Sequence, residues 1–132
     1  MEKRIVWIID DDLVAQFATN YRIEQSCENC QIIRHSSSSE GLAFLKECEH
    51  GNRRLPDILL LDLVMPGMGG WSFLKELEKK GSPAIKMDVY ILSAFTNSND
   101  RSTAKGNPLI KGFFNKPLTK ANVDYINSGS EV

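Results

Sequence analysis

The residues of this 132-residue chain best suited to chemistry are Asp10-Asp11-Asp12, Asp62, Ser93 and Lys116, each at the end of a short apolar run. Clustered carboxylates repel one another, so a site that gathers them needs a cation. An all-oxygen donor set favours Mg²⁺, which keeps several waters and takes one or two carboxylates plus phosphate oxygens. A lysine opposite the metal would neutralise the remaining charge of a phosphoryl group, and a serine hydroxyl would donate to another of its oxygens. An unprotonated aspartate at the centre can attack phosphorus in line and become an acyl phosphate. Singly, each aspartate reads equally well as a helix cap or turn residue, and Asp12 is well placed to cap a following helix. Caps and turns leave the convergence unexplained, whereas phosphoryl transfer to Asp62 uses every group.

For these residues to meet, the runs before them must be neighbouring strands that end on one side of a sheet. Residues 5–9 are continuous, apolar and β-branched, the pattern of a buried strand. Residues 13 to about 26 carry Val14, Phe17, Ala18, Tyr21 and Ile23 at roughly helical spacing, which predicts an amphipathic helix. Residues 31–35 read as a second strand, and the serines at 36–39 offer caps for a helix through Leu42, Phe44, Leu45 and Cys48. A polar turn over 50–54 leads to residues 57–61, the strongest buried-strand signal in the chain. Residues 71–80 form a third helix with Phe73, Leu74 and Leu77 inward, ended by Gly81 and Pro83. Residues 89–92 give a fourth strand. Ser98 or Asn99 caps a more polar helix to about Lys105, and Gly106-Asn107-Pro108 stops it. Residues 110–114 give the fifth strand, and Thr119 caps a last helix through Val123 and Ile126.

Strand and helix thus alternate five times over residues 5–126, with a short polar tail at 127–132. Continuous apolar strands between amphipathic helices imply a parallel sheet covered on both faces. Right-handed crossovers then give an α/β, flavodoxin-like (βα)5 fold, a doubly wound five-stranded sheet in order 2-1-3-4-5. Such sheets place their sites at the carboxyl ends of the strands, near the topological switch point, which is where the candidate residues fall.

Length fits one domain, residues 1–132. With 16 basic and 17 acidic residues and a net charge of -1, no electrostatic footprint for nucleic acid or an anionic membrane is present. No apolar run approaches the roughly 20 residues needed to cross a bilayer, and three aspartates follow the N-terminal run where a signal peptide would need a cleavage site. A cytoplasmic protein is expected, with Cys27, Cys30 and Cys48 reduced. Cys27-x-x-Cys30 ends a helix rather than opening one, which argues against a thioredoxin-like site. A zinc site recruiting Cys48 and His50 is conceivable from the topology, but the spacing is not a recognised one, and loose surface cysteines are the commoner case. His35 is expected to be a satisfied polar residue near the rim, and Trp7 and Trp71 to be packing residues.

Four motifs in order, IVWIIDDD, LPDILLLDLVMPGMGG, ILSA and GFFNKPL, resemble the CheY-like response-regulator receiver domain of two-component signalling, of the stand-alone single-domain type. The steps between key residues are 51 from Asp11 to Asp62, 31 on to Ser93 and 23 on to Lys116. The resemblance implies that Asp62 is the phosphoacceptor and that Asp10 and Asp11 hold Mg²⁺, the register within Asp10-Asp11-Asp12 being open by one residue. It gives the Val64 backbone carbonyl as a further metal ligand and Lys116 as the phosphoryl-binding lysine, with Pro117 as a cis-proline. Ser93 and Phe113 match the switch hydroxyl and switch aromatic, while Phe114 points to the opposite face.

The implied mechanism is transfer from a histidine kinase or histidine phosphotransfer protein, after which Ser93 and Phe113 turn inward. The surface of the fourth helix, fifth strand and fifth helix changes and is read by a downstream target protein. A phosphorylation-dependent homodimer is compatible with this scheme; direct nucleic-acid or membrane partners are not expected. The protein is not read as an enzyme, because its chemistry acts on itself. Two alternatives stand beside this one: a phosphorelay intermediate that passes the group onward, and a phosphorylation-independent docking adaptor. Relative to receivers that lose the phosphoryl group quickly, Val64 and Phe95 replace polar residues. Unless both are simply tolerated loop residues, self-dephosphorylation should be slow. Ala94 is small and leaves access open to a phosphodonor.

Overall fold

A computed structural model describes residues 3–51, 54–80, 86–94 and 97–128. In chain order its elements are β1 (Arg4–Ile9), α1 (Leu13–Ser26), β2 (Cys30–His35), α2 (Ser38–Glu49), β3 (Ile58–Leu61), α3 (Gly70–Lys80), β4 (Asp88–Ser93), α4 (Ser98–Lys105), β5 (Ile110–Asn115) and α5 (Lys120–Asn127). The five strands are parallel and lie in the order β2-β1-β3-β4-β5, the doubly wound arrangement expected. The chain reverses direction across the sheet at β1 and β3, so the crevice for a ligand opens beyond their carboxyl ends.

Alternation along the strands builds two cores. Trp7, Ile9, Leu59, Leu61, Val89 and Ile91 face Leu45 of α2 and Phe73, Leu74 and Leu77 of α3. Val6, Ile8, Ile58, Leu60, Tyr90 and Leu92 face Ile23 of α1 and Val123 and Ile126 of α5. Each such large side chain fully buried contributes about 1.5–3 kcal/mol, and β3, buried at all four positions, is the pivot between the two layers.

The helix caps follow side-chain chemistry. Asp12 Oδ1 accepts from the amides of Val14 and Ala15 at the start of α1. Ser37 caps α2 through the Glu40 amide, and Thr119 forms a reciprocal capping box with Asn122 on α5. The cap of α4 is Asn97 rather than the expected Ser98 or Asn99, with its Oδ1 2.7 Å from the Asp100 amide. Gly81 and Pro83, expected to end α3, lie outside the described residues, as do positions 129–132 of the tail.

Three expectations are corrected. Of the apolar residues on α1, only Ile23 is buried. Val14, Phe17 and Tyr21 are 77%, 60% and 62% exposed, and the inward positions are Gln16, Thr19 and Ile23. Hydrophobicity alone points a helix's apolar stripe to the core, but this one turns it to solvent. Cys27 and Cys30 form a disulfide across the α1–β2 turn, their Cα atoms 5.9 Å apart, because the C-x-x-C span brings them within bridging reach. They pack on one face of the sheet and buried Cys48 on the other, so the sheet itself separates the proposed zinc ligands. His35 is not a satisfied rim residue: its ring is buried between Trp7 and Phe44, and its Nε2 has no hydrogen-bond partner among the described residues. Trp7 is core, as expected, and half-buried Trp71 donates its Nε1 to Asp100 at 3.1 Å. Among the described residues no helix is long and apolar enough to cross a membrane.

Candidate functional site

Asp10 continues β1 by one residue, its amide donating to the carbonyl of His35 at 3.1 Å. Both carboxylate oxygens of Asp10 are engaged: Oδ1 accepts from the Asp12 amide at 3.0 Å, and Oδ2 lies 2.6 Å from Lys116 Nζ. Asp12 caps α1, so the acidic pair turned to the site is Asp10 and Asp11. Asp10 and Asp11 are the two of the triplet that group with Asp62 as candidate cation ligands. Asp62 follows β3, its amide donating to Ile9 at 3.0 Å. Its Oδ1 accepts from the Val64 amide at 3.3 Å, and its Oδ2 lies 3.3 Å from Lys116 Nζ.

The loop after Asp62 folds back on itself, with the Gly70 amide donating to Leu63 at 2.9 Å. A Cβ at Gly70 would stand 2.6 Å from the Asp62 carbonyl oxygen and 2.9 Å from Leu63 Cα. Glycine is therefore what lets α3 start against the backbone of Asp62. Lys116 is fixed by its own amide, which donates to Ser93 at 2.9 Å, and the Lys116–Pro117 bond is cis.

One carboxylate oxygen from each of Asp10, Asp11 and Asp62 lies within 4.8 Å of the others. Asp11, Asp12, Asp62, Val64, Ser93, Ala94 and Lys116 line an open cavity of about 210 Å³ above them. Asp10, Asp62 and Ser93 are buried, Asp11 is exposed, and Val64 is 65% exposed at the mouth. Burial raises the Asp62 pKa above the ordinary carboxylate range; Lys116 and the Val64 amide oppose the rise, and Asp10 adds to it. Lys116 is raised as well: burial works against its charge, but the hydrogen bond and charge of Asp10, then those of Asp62, outweigh it. A pocket with oxygen donors at this separation, and a buried carboxylate pushed toward its neutral form, suits a small hard cation, which would draw Asp62 back to the ionised state.

The family of response regulator receiver domains matches residues 6–125. This chain belongs to that family. As a receiver it is a signalling domain of two-component systems. Over its full length the fold is similar to two solved two-component response regulators. One, from Cytophaga hutchinsonii, has a TM-score of 0.89 at 23% identity over 98% of both chains. The other, from Legionella pneumophila, has a TM-score of 0.81 at 25% identity over 98% of both chains. Among curated proteins, the DNA-binding transcriptional regulator NtrC of Salmonella typhimurium is 30% identical over 80 residues, 61% of this chain and 15% of its own. The probable C4-dicarboxylate response regulator DctR of Halalkalibacterium halodurans is 29% identical over 100 residues, 76% of this chain and 38% of its own. This receiver thus spans well under half the length of those relatives.

Of the expected site residues, Asp10, Asp11, Asp62 and Lys116 converge, and Val64, Ser93 and Ala94 line the same cavity. Phe113 stands apart on β5, half-buried, with the Arg101 guanidinium 5.1 Å over its ring. Phe114 packs on the opposite core, stacked on Tyr90. Phe95 lies outside the described residues. Sequence reasoning passed over Gln16, a buried side chain of α1 whose Nε2 is 2.6 Å from the Asp10 carbonyl oxygen. The clue was available: positions 16, 19 and 23 share one face of α1, opposite the stripe of Leu13, Val14, Phe17 and Tyr21.

Proposed function

We propose that this receiver is a cytoplasmic phosphorylation switch that accepts a phosphoryl group on Asp62. An Asp62 carboxylate oxygen attacks phosphorus in line, forming the acyl phosphate as the bond from phosphorus to the donor's nitrogen or oxygen breaks. Asp10, Asp11, Asp62 and the Val64 carbonyl would hold Mg²⁺, which would supply positive charge to the phosphoryl oxygens. Lys116 moves its ammonium from Asp62 to a phosphoryl oxygen while keeping Asp10, and the Ser93 hydroxyl donates to another. The observation that carries this proposal is the Lys116 ammonium spanning carboxylates from two strands, 2.6 Å from Asp10 and 3.3 Å from Asp62. A bare ion pair would need only one of them.

The phosphodonor is a histidine kinase or histidine phosphotransfer protein that approaches over α1. Leu13, Val14, Phe17 and Tyr21 form an exposed apolar stripe there, starting beside Asp12 at the cavity, and such a stripe fits a partner surface. The output is read at α4, β5 and α5; between α4 and β5 an open cleft of about 360 Å³ is lined by Arg101, Lys105, Lys111 and Phe113 among others. Arg101 links that cleft to the site, because it also donates to Asn115, the neighbour of Lys116, at 3.1 Å.

The test is the intact mass after incubation with phosphoramidate or acetyl phosphate and Mg²⁺. The expected result is one phosphoryl adduct of about 80 Da on the wild type and none on Asp62→Ala. Absence of the adduct with both donors and with a histidine kinase would overturn this function and leave a docking adaptor. With apolar Val64 at the mouth, the adduct should decay slowly; a half-life of only seconds in Mg²⁺ would contradict that.

A further inference from the structure

Asp10 is held at four points, its amide, its carbonyl and both carboxylate oxygens. The carbonyl is the unusual one. It lies beyond the last residue of β1, and the donor to it is a side chain rather than the sheet. Gln16 Nε2 donates to it at 2.6 Å and also stands 3.3 Å from the His35 carbonyl oxygen and 3.2 Å from Ser36 Oγ. Gln16 is itself buried on the inward face of α1, where an amide is costly unless its donors are satisfied. It therefore ties three things together: the end of β1, the end of β2 and the first turns of α1.

The carbonyl of Asp10 belongs to the peptide that joins Asp10 to Asp11. A peptide unit is planar, so a hydrogen bond to its oxygen fixes the direction in which the chain leaves for Asp11. Asp11 is exposed, and its carboxylate has to face Asp62 from a loop rather than from a strand. We propose that Gln16 is a positioning residue for the cation site: by pinning the Asp10–Asp11 peptide it aims the Asp11 carboxylate at Asp62. The proposal rests on the Mg²⁺ reading of the acidic pocket and adds the group that holds its exposed carboxylate ligand in place.

The experiment measures binding of Mg²⁺ alone to the full chain by calorimetry, for the wild type, Gln16→Met, Gln16→Leu, Thr19→Ala and Asp11→Asn. Thermal unfolding in chelator accompanies each. Gln16→Met keeps the volume and removes the donor; Gln16→Leu is a second route should one variant fold poorly. Thr19→Ala disturbs the same buried face one turn on without touching the Asp10 carbonyl. The expected result is a loss of Mg²⁺ affinity of about 10-fold or more in both Gln16 variants, the size seen when a group that orients a metal ligand is removed. Thr19→Ala should bind like the wild type. Phosphorylation by phosphoramidate should then need more Mg²⁺ for half-maximal rate while reaching the same plateau, which a general packing defect would not give. Wild-type affinity in the Gln16 variants, or an equal loss in Thr19→Ala, would overturn the positioning role. No Mg²⁺ binding by the wild type, or unchanged binding by Asp11→Asn, would instead remove the cation site, and the role of Gln16 with it.

Discussion

Helices α1 and α3 have similar lengths and both pack against the central strands, yet they are built inside out relative to each other. α3 buries Phe73, Leu74 and Leu77 almost completely, as an amphipathic helix should. α1 buries Gln16, Thr19 and Ile23 and leaves Leu13, Val14, Phe17 and Tyr21 more than half exposed. The difference follows from where each starts. α3 begins against the backbone of Asp62 through Gly70, and its remaining turns have only a core to fill. α1 begins at the acidic triplet, and its inward face has to satisfy the carbonyl ends of β1 and β2, a task for an amide rather than a methyl. Its apolar residues are thereby left for something outside the molecule, with the Arg34 guanidinium over the Phe17 ring, 4.3 Å from its centroid.

The largest expected effect breaks the comparison if it fails. Phe73→Ala should cost about 3–5 kcal/mol of stability in denaturant unfolding, because it opens a cavity in a sealed core. Phe17→Ala should stay within about 0.5 kcal/mol of wild type. It should nevertheless slow phosphotransfer from a histidine kinase while leaving labelling by acetyl phosphate unchanged. If Phe17→Ala destabilised the chain as Phe73→Ala does, the outward stripe would be structural and the contrast between the helices would disappear.

The next effect concerns the rim that α1 serves. Asp62 has a raised pKa because burial disfavours its charge. Between its ordinary value of 3.8 and the raised one, the folded chain holds a proton that the unfolded chain releases. Stability therefore falls as pH rises across that window and stays lower above it. Asp62→Asn should raise stability at neutral pH without metal, by about 0.5–2 kcal/mol, the usual size when a functional site is relieved. Lys116 keeps its shorter contact with Asp10 in that variant. The gain should shrink in saturating Mg²⁺ and vanish in acid; thermal unfolding with chelator and with Mg²⁺ at several pH values reads all three.

How much of this was legible in the sequence divides along the same line. The strands and α3 were, because the continuous apolar runs of β1, β3 and β4 and an inward Phe73-Leu74-Leu77 cluster follow the burial rule, while β2 and β5 at the edges are only partly buried. The site was legible through topology: once the runs are parallel strands, Asp10, Asp62, Ser93 and Lys116 fall at one rim. The orientation of α1 was not, since hydropathy gives the stripe of Val14, Phe17 and Tyr21 but not the carbonyls that outbid it for the interior. Nor was the role of Asp12 fixed, because capping α1 and completing the acidic pair look alike until its Oδ1 is seen on the Val14 and Ala15 amides. The Cys27–Cys30 pairing was hidden for another reason: the expectation of reduced thiols came from compartment, which says nothing about whether the α1–β2 turn brings the two within reach.

The smallest effect sharpens the comparison, because the core under α2 and α3 has a polar intrusion of its own. His35 is buried between Trp7 and Phe44, and its Nε2, like Trp7 Nε1 and Ser38 Oγ, has no hydrogen-bond partner among the described residues. Burial lowers its pKa below the ordinary 6.5, with Glu40 pulling the other way. The unfolded chain therefore takes up a proton at His35 that the folded chain refuses. Stability contributed by the neutral ring is full above about pH 6.5 and is lost as pH falls from there toward the lowered value, by at most about 1.4 kcal/mol per pH unit for one proton. His35→Phe should remove that part of the slope and be neutral or stabilising, since two aromatic neighbours and an unpartnered nitrogen favour an apolar ring. Unfolding free energies for both chains between pH 5 and 8 decide it. An unchanged slope would mean that the ring takes up a proton equally well in the folded chain, leaving Gln16 and its neighbours on α1 as the principal polar interior of the fold.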